Sequence, residues 1–397
     1  MANNKFILIV SAVYPPEPVV SGRLSEDLYY ALKDRGCPVK VLHPKPTRPN
    51  GFNFFKEFQC GDYEIIVDSY TCPQSSLTGR LRESCSFGRA CEKYIEEKKD
   101  DILKIYANTW PLFGQYYLAK AAKRNGIPYF VHIQDVYPES YCSKIPELLG
   151  KLLYTALLPI DKYVMRYSAG VIGISPSMIS YLSDSRGIEK SKFTLVRNWQ
   201  DDRQYVEKYK PLEKNSDVNK IMYVGSINPT ANIPLIVNAV NKLDRSKYHL
   251  SVIGNGPDKD KCVKLAEQLC LDVSFETILP EEVAKRQSEA DVLVLCLKKG
   301  VAKTATPSKL TAYMLSGRPI VASVDLDSDC ASIIKDANCG IVVAPDDIQE
   351  LSSAIKELTE KSKDELNKMG KASFEYAIAN LSKERNLGIL SNLLTKQ

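Results

Sequence analysis

Short apolar runs separated by longer amphipathic stretches recur along this chain, and that alternation restricts its fold more than any other feature. FILIVSA (6–12), VKVLH (39–43), EIIVDSY (64–70), ILKIYAN (102–108), YFVHI (129–133) and GVIGIS (170–175) have the character of β-strands. Most stretches between them read as helices, as in SEDLYYALKDRG (25–36), which ends on a glycine suited to a helix C-cap. Strands that are apolar on both faces belong in a parallel sheet covered by helices on both sides. A second series begins at KIMYVGS (220–226) and runs through HLSVIGNGP (249–257), VSFET (273–277), DVLVLCL (291–297), RPIVAS (318–323) and GIVVAP (340–345). Between the two series, residues 198–219 are polar and rich in turn formers, as expected of a linker. The expected architecture is α/β, with two Rossmann-like doubly wound domains at 1–197 and 220–378 facing a central cleft. A last amphipathic helix within 379–397 is expected to pack back on the first domain.

Composition narrows the function classes. Of 397 residues, 44% are hydrophobic and 25% charged, which supports sizeable cores and excludes a disordered chain. The net charge of +5 suits an anionic ligand or an anionic membrane surface and is far too small for a nucleic-acid arm. The eleven cysteines form no CxxC pair, and His43, His132 and His249 are far apart, so no zinc site is expected. Unpatterned cysteines in apolar runs, such as Cys296, read as buried free thiols in a reducing cytoplasm. The first residues lack a basic segment and cleavage site, and no uninterrupted apolar stretch of about 18 residues offers a membrane span. The segment at 145–167 is apolar with Lys151, Lys162, Arg166 and three tyrosines interspersed. That pattern fits a membrane interface, although a core-facing helix pair is the commoner case.

In doubly wound sheets ligands bind beyond the carboxyl ends of the strands, so the loops there carry the chemistry. Gly225 and Ser226 follow one strand and precede a helix; Gly254 and Gly256 follow the next. Glycine turns of this kind let the backbone approach an anion, but they also serve ordinary turns. The spacing is not GxGxxG, which disfavours a dinucleotide. The loop LKKGVAKTATPSKL (297–310) holds Lys298, Lys299, Lys303 and Lys309 and no acid. With Ser308 and Lys309 just before a helix, it reads as a pyrophosphate site; a solvated lysine loop is the plainer reading. In the first domain, Gln134, Asp135 and Glu139 lie just past a strand, where carboxylates contact sugars, move protons or merely cap a turn. Gly22 and Arg23, in the loop after the first strand, offer close approach and an anion contact, or nothing beyond an ordinary loop.

Taken together, YPPEP…SGR, QDVYPES, VRNWQD, YVGS, VIGNGP, PSKLTAYMLSGRPIVAS and DLDSDCASIIKDANCGIVV resemble, in order, the family 4 retaining glycosyltransferases of GT-B fold. The likeness is nearest to the branch that builds capsule, O-antigen and exopolysaccharide units, which includes fucosyl- and N-acetylfucosaminyl-transferases. The resemblance implies transfer of a sugar from a nucleotide diphosphate sugar to a glycan acceptor, lipid-linked through polyprenyl diphosphate. The donor would bind the second domain, its nucleobase near 273–279 and Phe275, with Gly254 and Gly256 close by. No metal and no cofactor are implied, because cations and helix N-termini stabilise the leaving diphosphate.

The chain departs from that family at several positions. A Gly-Arg…Lys pair that grips the diphosphate in many members matches Ser226 and Ala231 here, and a pair of glutamates matches Thr304 and Ala312. Lys309, with Lys303, would restore the missing positive charge, and Asp327 or Asp329 would take over contacts to sugar or ribose hydroxyls. A His-Asp pair of the family matches Gln134-Asp135; front-face attack, in which the leaving phosphate takes the acceptor's proton, tolerates that glutamine. The expected protein is therefore a cytoplasmic, metal-independent retaining glycosyltransferase, peripheral on the inner face of a membrane. Its rivals are a GT-B sugar-nucleotide epimerase, a catalytically inactive nucleotide-binding scaffold and, less well matched, a periplasmic binding protein.

Overall fold

The structure is a computed structural model that describes residues 5–17, 19–47, 60–72, 76–108, 112–142, 145–199, 201–211, 217–301 and 308–396, without the side chains of Leu77 and Ser308. It divides into one unit of Met1–Arg197 with Leu387–Gln397 and a second of Asn198–Asn386.

The first unit alternates strand and helix: β1 (Phe6–Val10), α1 (Val20–Asp34), β2 (Val39–Pro44), β3 (Glu64–Val67), α2 (Leu77–Lys98), β4 (Ile102–Asn108), α3 (Leu112–Asn125) and β5 (Tyr129–Ile133). It continues through α4 (Glu139–Cys142), α5 (Glu147–Tyr167), β6 (Gly170–Gly173), α6 (Pro176–Arg186) and β7 (Phe193–Leu195). Seven parallel strands lie in the order β3-β2-β1-β4-β5-β6-β7, so the chain reverses direction across the sheet between β1 and β4. The seventh strand is new relative to the sequence reading. Three half-buried residues at a sheet edge carry too little apolar pattern to announce a strand. Local chemistry explains α6 well. Ser175 Oγ accepts the Met178 amide, Pro176 starts the first turn, and Gly187 closes the helix at φ 66°.

The second unit contains α7 (Arg203–Lys208), β8 (Asn219–Val224), α8 (Ile233–Val240), β9 (Tyr248–Ile253), α9 (Lys259–Gln268), β10 (Val273–Glu276), α10 (Val283–Gln287) and β11 (Val292–Cys296). It then runs through α11 (Ser308–Leu315), β12 (Ile320–Ser323), α12 (Asp329–Asp336), β13 (Gly340–Val343), α13 (Ile348–Thr359) and α14 (Lys363–Leu381), and α15 (Lys383–Thr395) follows. Its parallel sheet has the order β10-β9-β8-β11-β12-β13, again with a reversal, here between β8 and β11. Side chains alternate across this sheet as a period of two demands. Met222, Val224, Leu293 and Leu295 join the core on one face. Ile221, Tyr223, Val292 and Val294 join the core on the other.

The stretch expected as a linker is more structured than its polarity suggested. Residues 203–208 form α7, and Tyr205 is buried in the second unit's core. Farther on, the buried Arg318 guanidinium donates to the carbonyl oxygens of Lys210 and Ser288, which ties the chain just past α7 to the end of α10. The residues of α15 from Leu387 onward belong to the first unit, where Arg35 donates to Asn392 at 2.7 Å. All eleven cysteines are free, and Cys296 is fully buried, as expected of an apolar thiol.

Candidate functional site

In the second unit the glycine turns after β8 and β9 and the start of α11 meet where the strand order reverses. Beyond Val224 the chain enters an extended turn in which Gly225 has φ 151°. The next strand ends in Gly254 at φ 151° and Gly256 at φ 155°, conformations that side-chain-bearing residues rarely adopt. The turns are stitched side by side. Gly225 donates to Ile253 O at 2.9 Å, Gly254 to Glu276 O at 2.8 Å and Ile227 to Asn255 O at 2.9 Å. A Cβ on Gly254 would stand 1.9 Å from Gly225 O, and one on Gly256 2.2 Å from Ile227 O. The glycines thus permit one backbone to lie directly on the next. The packing alone requires glycine at both positions.

Gly225 has a further role. A Cβ there would lie 2.0 Å from Cε of Lys309 and 2.8 Å from its Cδ. The lysine stem therefore crosses the open face of the glycine, and its ammonium lies 5.8 Å from the centre of the Tyr223 ring. Helix α11 starts at Ser308, two residues earlier than expected, so Lys309 sits within its first turn. Burial depresses the Lys309 pKa, and no carboxylate among the described residues offsets that effect. Among the described residues this half-buried cation, at a helix N-terminus and beside glycine turns, has no anionic partner, an arrangement chemically suited to a phosphate group. Lys298 and Lys299 are exposed. Lys303 lies outside the described residues, as does the side chain of Ser308.

The segment after β11 is anchored on both sides. Lys298 donates its amide to Thr230 O at 3.0 Å, and the buried Asp325 carboxylate accepts the Gly300 amide at 2.8 Å. Asp325 escaped the sequence reading, which weighed Asp327 and Asp329 instead. Asp329 opens α12, past β12 and two strands from β8. Ser226 is exposed and receives a hydrogen bond from Asn228 Nδ2 at 3.2 Å. Phe275 is half-buried on β10 against the core, at the sheet's edge. Just past it, Thr277 Oγ1 donates to Gly254 O at 3.2 Å, which joins the β10 turn to the glycine turn.

In the first unit a buried polar network underlies the corresponding reversal point. Tyr106 OH lies 2.8 Å from Nδ1 of His132 and donates to Asn108 Oδ1 at 3.0 Å. Asn108 donates to Ser21 O at 3.0 Å and to Ser25 Oγ, and Ser25 donates to Ser11 Oγ at 3.1 Å. The network connects β5 and β4 to the first turn of α1, where Gly22 sits and Arg23 is exposed. A Cβ on Gly22 would stand 3.1 Å from Val13 O, so this glycine allows α1 to crowd the loop after β1.

Gln134 and Asp135 follow β5. Gln134 Nε2 lies 3.3 Å from His132 Nε2, so the histidine fixes the amide. Burial pushes the His132 pKa down to about 3, against a raising contribution from the Val196 backbone. It is therefore neutral near pH 7 and orients Gln134. Period-two spacing puts both residues on one side of the strand, a signal the sequence reading could have used. Asp135 is exposed.

Glu139 is placed differently from its neighbours. Its carboxylate receives Arg186 Nη1 at 2.6 Å and Nη2 at 2.7 Å, and the Tyr181 hydroxyl at 2.6 Å. Arg186 also donates to Asp161 at 2.8 Å and to Tyr137 O at 2.7 Å. Glu139 thus belongs to a structural ion cluster, a partnership set by an arginine far along the sequence. Among the described residues no three His, Cys, Asp or Glu side chains gather as a metal site.

Two doubly wound units, with glycine turns at the reversal point of the second and a lysine there that has no ion-pair partner among the described residues, define a GT-B protein. Residues 206–376 match the family model "Glycosyl transferases group 1", and residues 21–199 match "Glycosyl transferase 4-like domain". The chain belongs to this glycosyltransferase family. It is 21% identical to WcaI of Escherichia coli strain K12, which carries the name of a colanic acid biosynthesis glycosyl transferase; the match covers 96% of this chain and 97% of WcaI. Sucrose-phosphate synthase from Thermosynechococcus elongatus has the same fold, with a TM-score of 0.72 at 17% identity over 98% of both chains. So does HepE of Anabaena in complex with UDP, with a TM-score of 0.67 at 15% identity over 98% of this chain and 99% of that one.

Proposed function

We propose that this glycosyltransferase moves a sugar from a nucleoside diphosphate sugar to a polyprenyl-diphosphate-linked glycan during surface polysaccharide synthesis, with retention of anomeric configuration and without a metal. The observation that carries the reading is the Lys309 stem lying across Gly225, with its ammonium desolvated and without a counter-ion among the described residues. A leaving nucleoside diphosphate supplies the missing anion. UDP bound to the Anabaena neighbour supports the ligand class, and the name of the Escherichia coli relative supports the pathway class.

In the proposed step the acceptor oxygen bonds to the anomeric carbon as the bond from that carbon to the phosphate oxygen breaks. The acceptor's hydroxyl proton passes to the leaving phosphate. Lys309 and the α11 N-terminus stabilise the charge that develops there. Gln134, held by neutral His132, would contact the sugar, and Asp135 would orient sugar or acceptor.

The acceptor's lipid places the enzyme at the inner face of a membrane in this reading. Helix α5 supports it. Leu148, Leu149 and Leu152 are 84%, 59% and 70% exposed on the turns that follow Gln134 and Asp135. The same helix carries Lys162 and Arg166, and Lys123 packs over its Tyr167 ring at 3.4 Å. Apolar insertion flanked by tyrosines and cations suits an anionic bilayer surface. No described helix is long and apolar enough to cross a membrane. Changing the three leucines to glutamine is expected to abolish co-sedimentation with phosphatidylglycerol vesicles while leaving nucleotide binding intact. Equal sedimentation of variant and parent would remove α5 from the interface.

Thermal stabilisation by UDP, GDP, CDP and TDP, with and without EDTA, tests the core of the proposal. One nucleoside diphosphate should raise the melting temperature, because it binds the folded state alone. EDTA should leave that shift unchanged. Binding without turnover of any sugar donor would favour the scaffold reading.

A further inference from the structure

We infer that Tyr313 is the positioning residue that sets Lys309 against Gly225, an inference that rests on the donor-site reading above. The sheet is irregular beside this helix. Strands β8 and β11 pair only at Ile221 with Val292 and at Met222 with Leu293. Toward their carboxyl ends the two strands part, as the reversal point requires if a ligand is to enter there. On its other side β8 stays paired with β9 as far as Val224. The Val224 groups that would face β11 are thereby left without a strand partner.

Tyr313 takes the place of the missing strand. Its hydroxyl accepts the Val224 amide at 2.8 Å and donates to the Val224 carbonyl at 3.0 Å. The side chain is fully buried, so both bonds are sheltered from water. Tyr313 stands four residues after Lys309 on α11, which places both on one face of that helix. Val224 directly precedes Gly225. One hydroxyl therefore ties the helix that bears the lysine to the strand end that bears the glycine. The lysine stem crosses the glycine one helical turn away from this tie. Without it, α11 keeps its apolar anchors Leu310 and Met314 but loses the polar bond that fixes its height above the strand end.

Tyr313→Phe retains the ring and removes the tie, so the variant keeps its packing. It should weaken binding of the nucleoside diphosphate that stabilises the parent protein by about tenfold, the scale of coupling between residues sharing a network. The corresponding nucleoside, which has no phosphate to meet Lys309, should bind as before. The deciding measurement is a double-mutant cycle by calorimetry with Lys309→Met. If Tyr313 acts through the lysine, Tyr313→Phe has no further effect on diphosphate affinity once Lys309 is methionine. Additive losses, or equal losses for nucleoside and diphosphate, would overturn the positioning role while leaving the donor-site reading in place. An unaltered diphosphate affinity in Lys309→Met alone would overturn the donor-site reading and this inference with it.

Discussion

Lys309→Met weakens binding of the nucleoside diphosphate roughly 10- to 100-fold, since a charge-assisted hydrogen bond is worth about 1.5–3 kcal/mol and each 1.4 kcal/mol is tenfold. The expectation follows from the local electrostatics. The ammonium is partly desolvated, and among the described residues no carboxylate compensates it. A phosphate in that position gains a strong contact and relieves the penalty of burial. Methionine keeps the stem's length and apolar character, so the contact with Gly225 survives and the charge alone is lost. Gly225→Ala is the complementary change. A Cβ 2.0 Å from Lys309 Cε would push the stem away, and at φ 151° the alanine would itself be strained. It should reduce diphosphate affinity while the lysine remains present. Calorimetric titration reads both, and an unchanged dissociation constant in Lys309→Met would exclude the lysine from the site.

Arg186→Met costs the first unit about 3–5 kcal/mol of stability, the range for removing one partner from a buried ion pair. Its side chain is 0% exposed, and it serves two carboxylates, Asp161 at 7% exposure and Glu139 at 26%. Without the guanidinium, two acids and the Tyr137 carbonyl are left in a site from which water is largely excluded. Urea unfolding monitored by tryptophan fluorescence measures the loss; a change below about 1 kcal/mol would mean that the cluster is already solvated.

The same cluster predicts a pH dependence. Burial pushes the Asp161 pKa up to about 6, overcoming the lowering by Arg186. Burial also acts on Glu139, but there Arg186 and Tyr181 together outweigh it and hold the pKa below the ordinary value. A raised carboxyl pKa means that the folded protein binds the proton more tightly than the unfolded chain. Its contribution to stability is present at low pH and is lost as pH rises through about 6. Glu139 works in the opposite sense and contributes above the ordinary carboxylate range. Asp161→Asn should therefore gain stability relative to the parent as pH rises from the ordinary carboxylate range toward neutrality. Parallel stability curves for the two proteins would contradict this.

The fold was legible in the sequence because its signal is repetitive. Apolar runs at strand length, alternating with amphipathic stretches, leave few options besides parallel sheets covered by helices. The exceptions were elements whose stabilisation is not local. Strand β7 is three half-buried residues paired to β6, and α7 is held by one buried tyrosine within a polar stretch. The loop of lysines after β11 was also legible, since four cations without an acid is a local property. The sequence also singled out Lys309 from its place before the helix, but it did not reveal how the lysine is held, because that depends on Gly225, a residue 84 positions earlier that leaves room for the Lys309 stem.

Glu139 illustrates the same limit. Its place after a strand suggested chemistry at the sugar, whereas Arg186 claims its carboxylate through a contact 47 residues apart in sequence. Nothing near Gln134 announced that His132 would be buried, neutral and bound to Tyr106, because burial is a property of the packed unit. By itself, then, the sequence determined the two-unit α/β plan and the family, and it singled out the loops where the chemistry is proposed. Tertiary structure alone decided which charges in those loops are paired, which stand free and which are desolvated. Those properties arise from residues brought together across the chain, and local pattern carries no record of them.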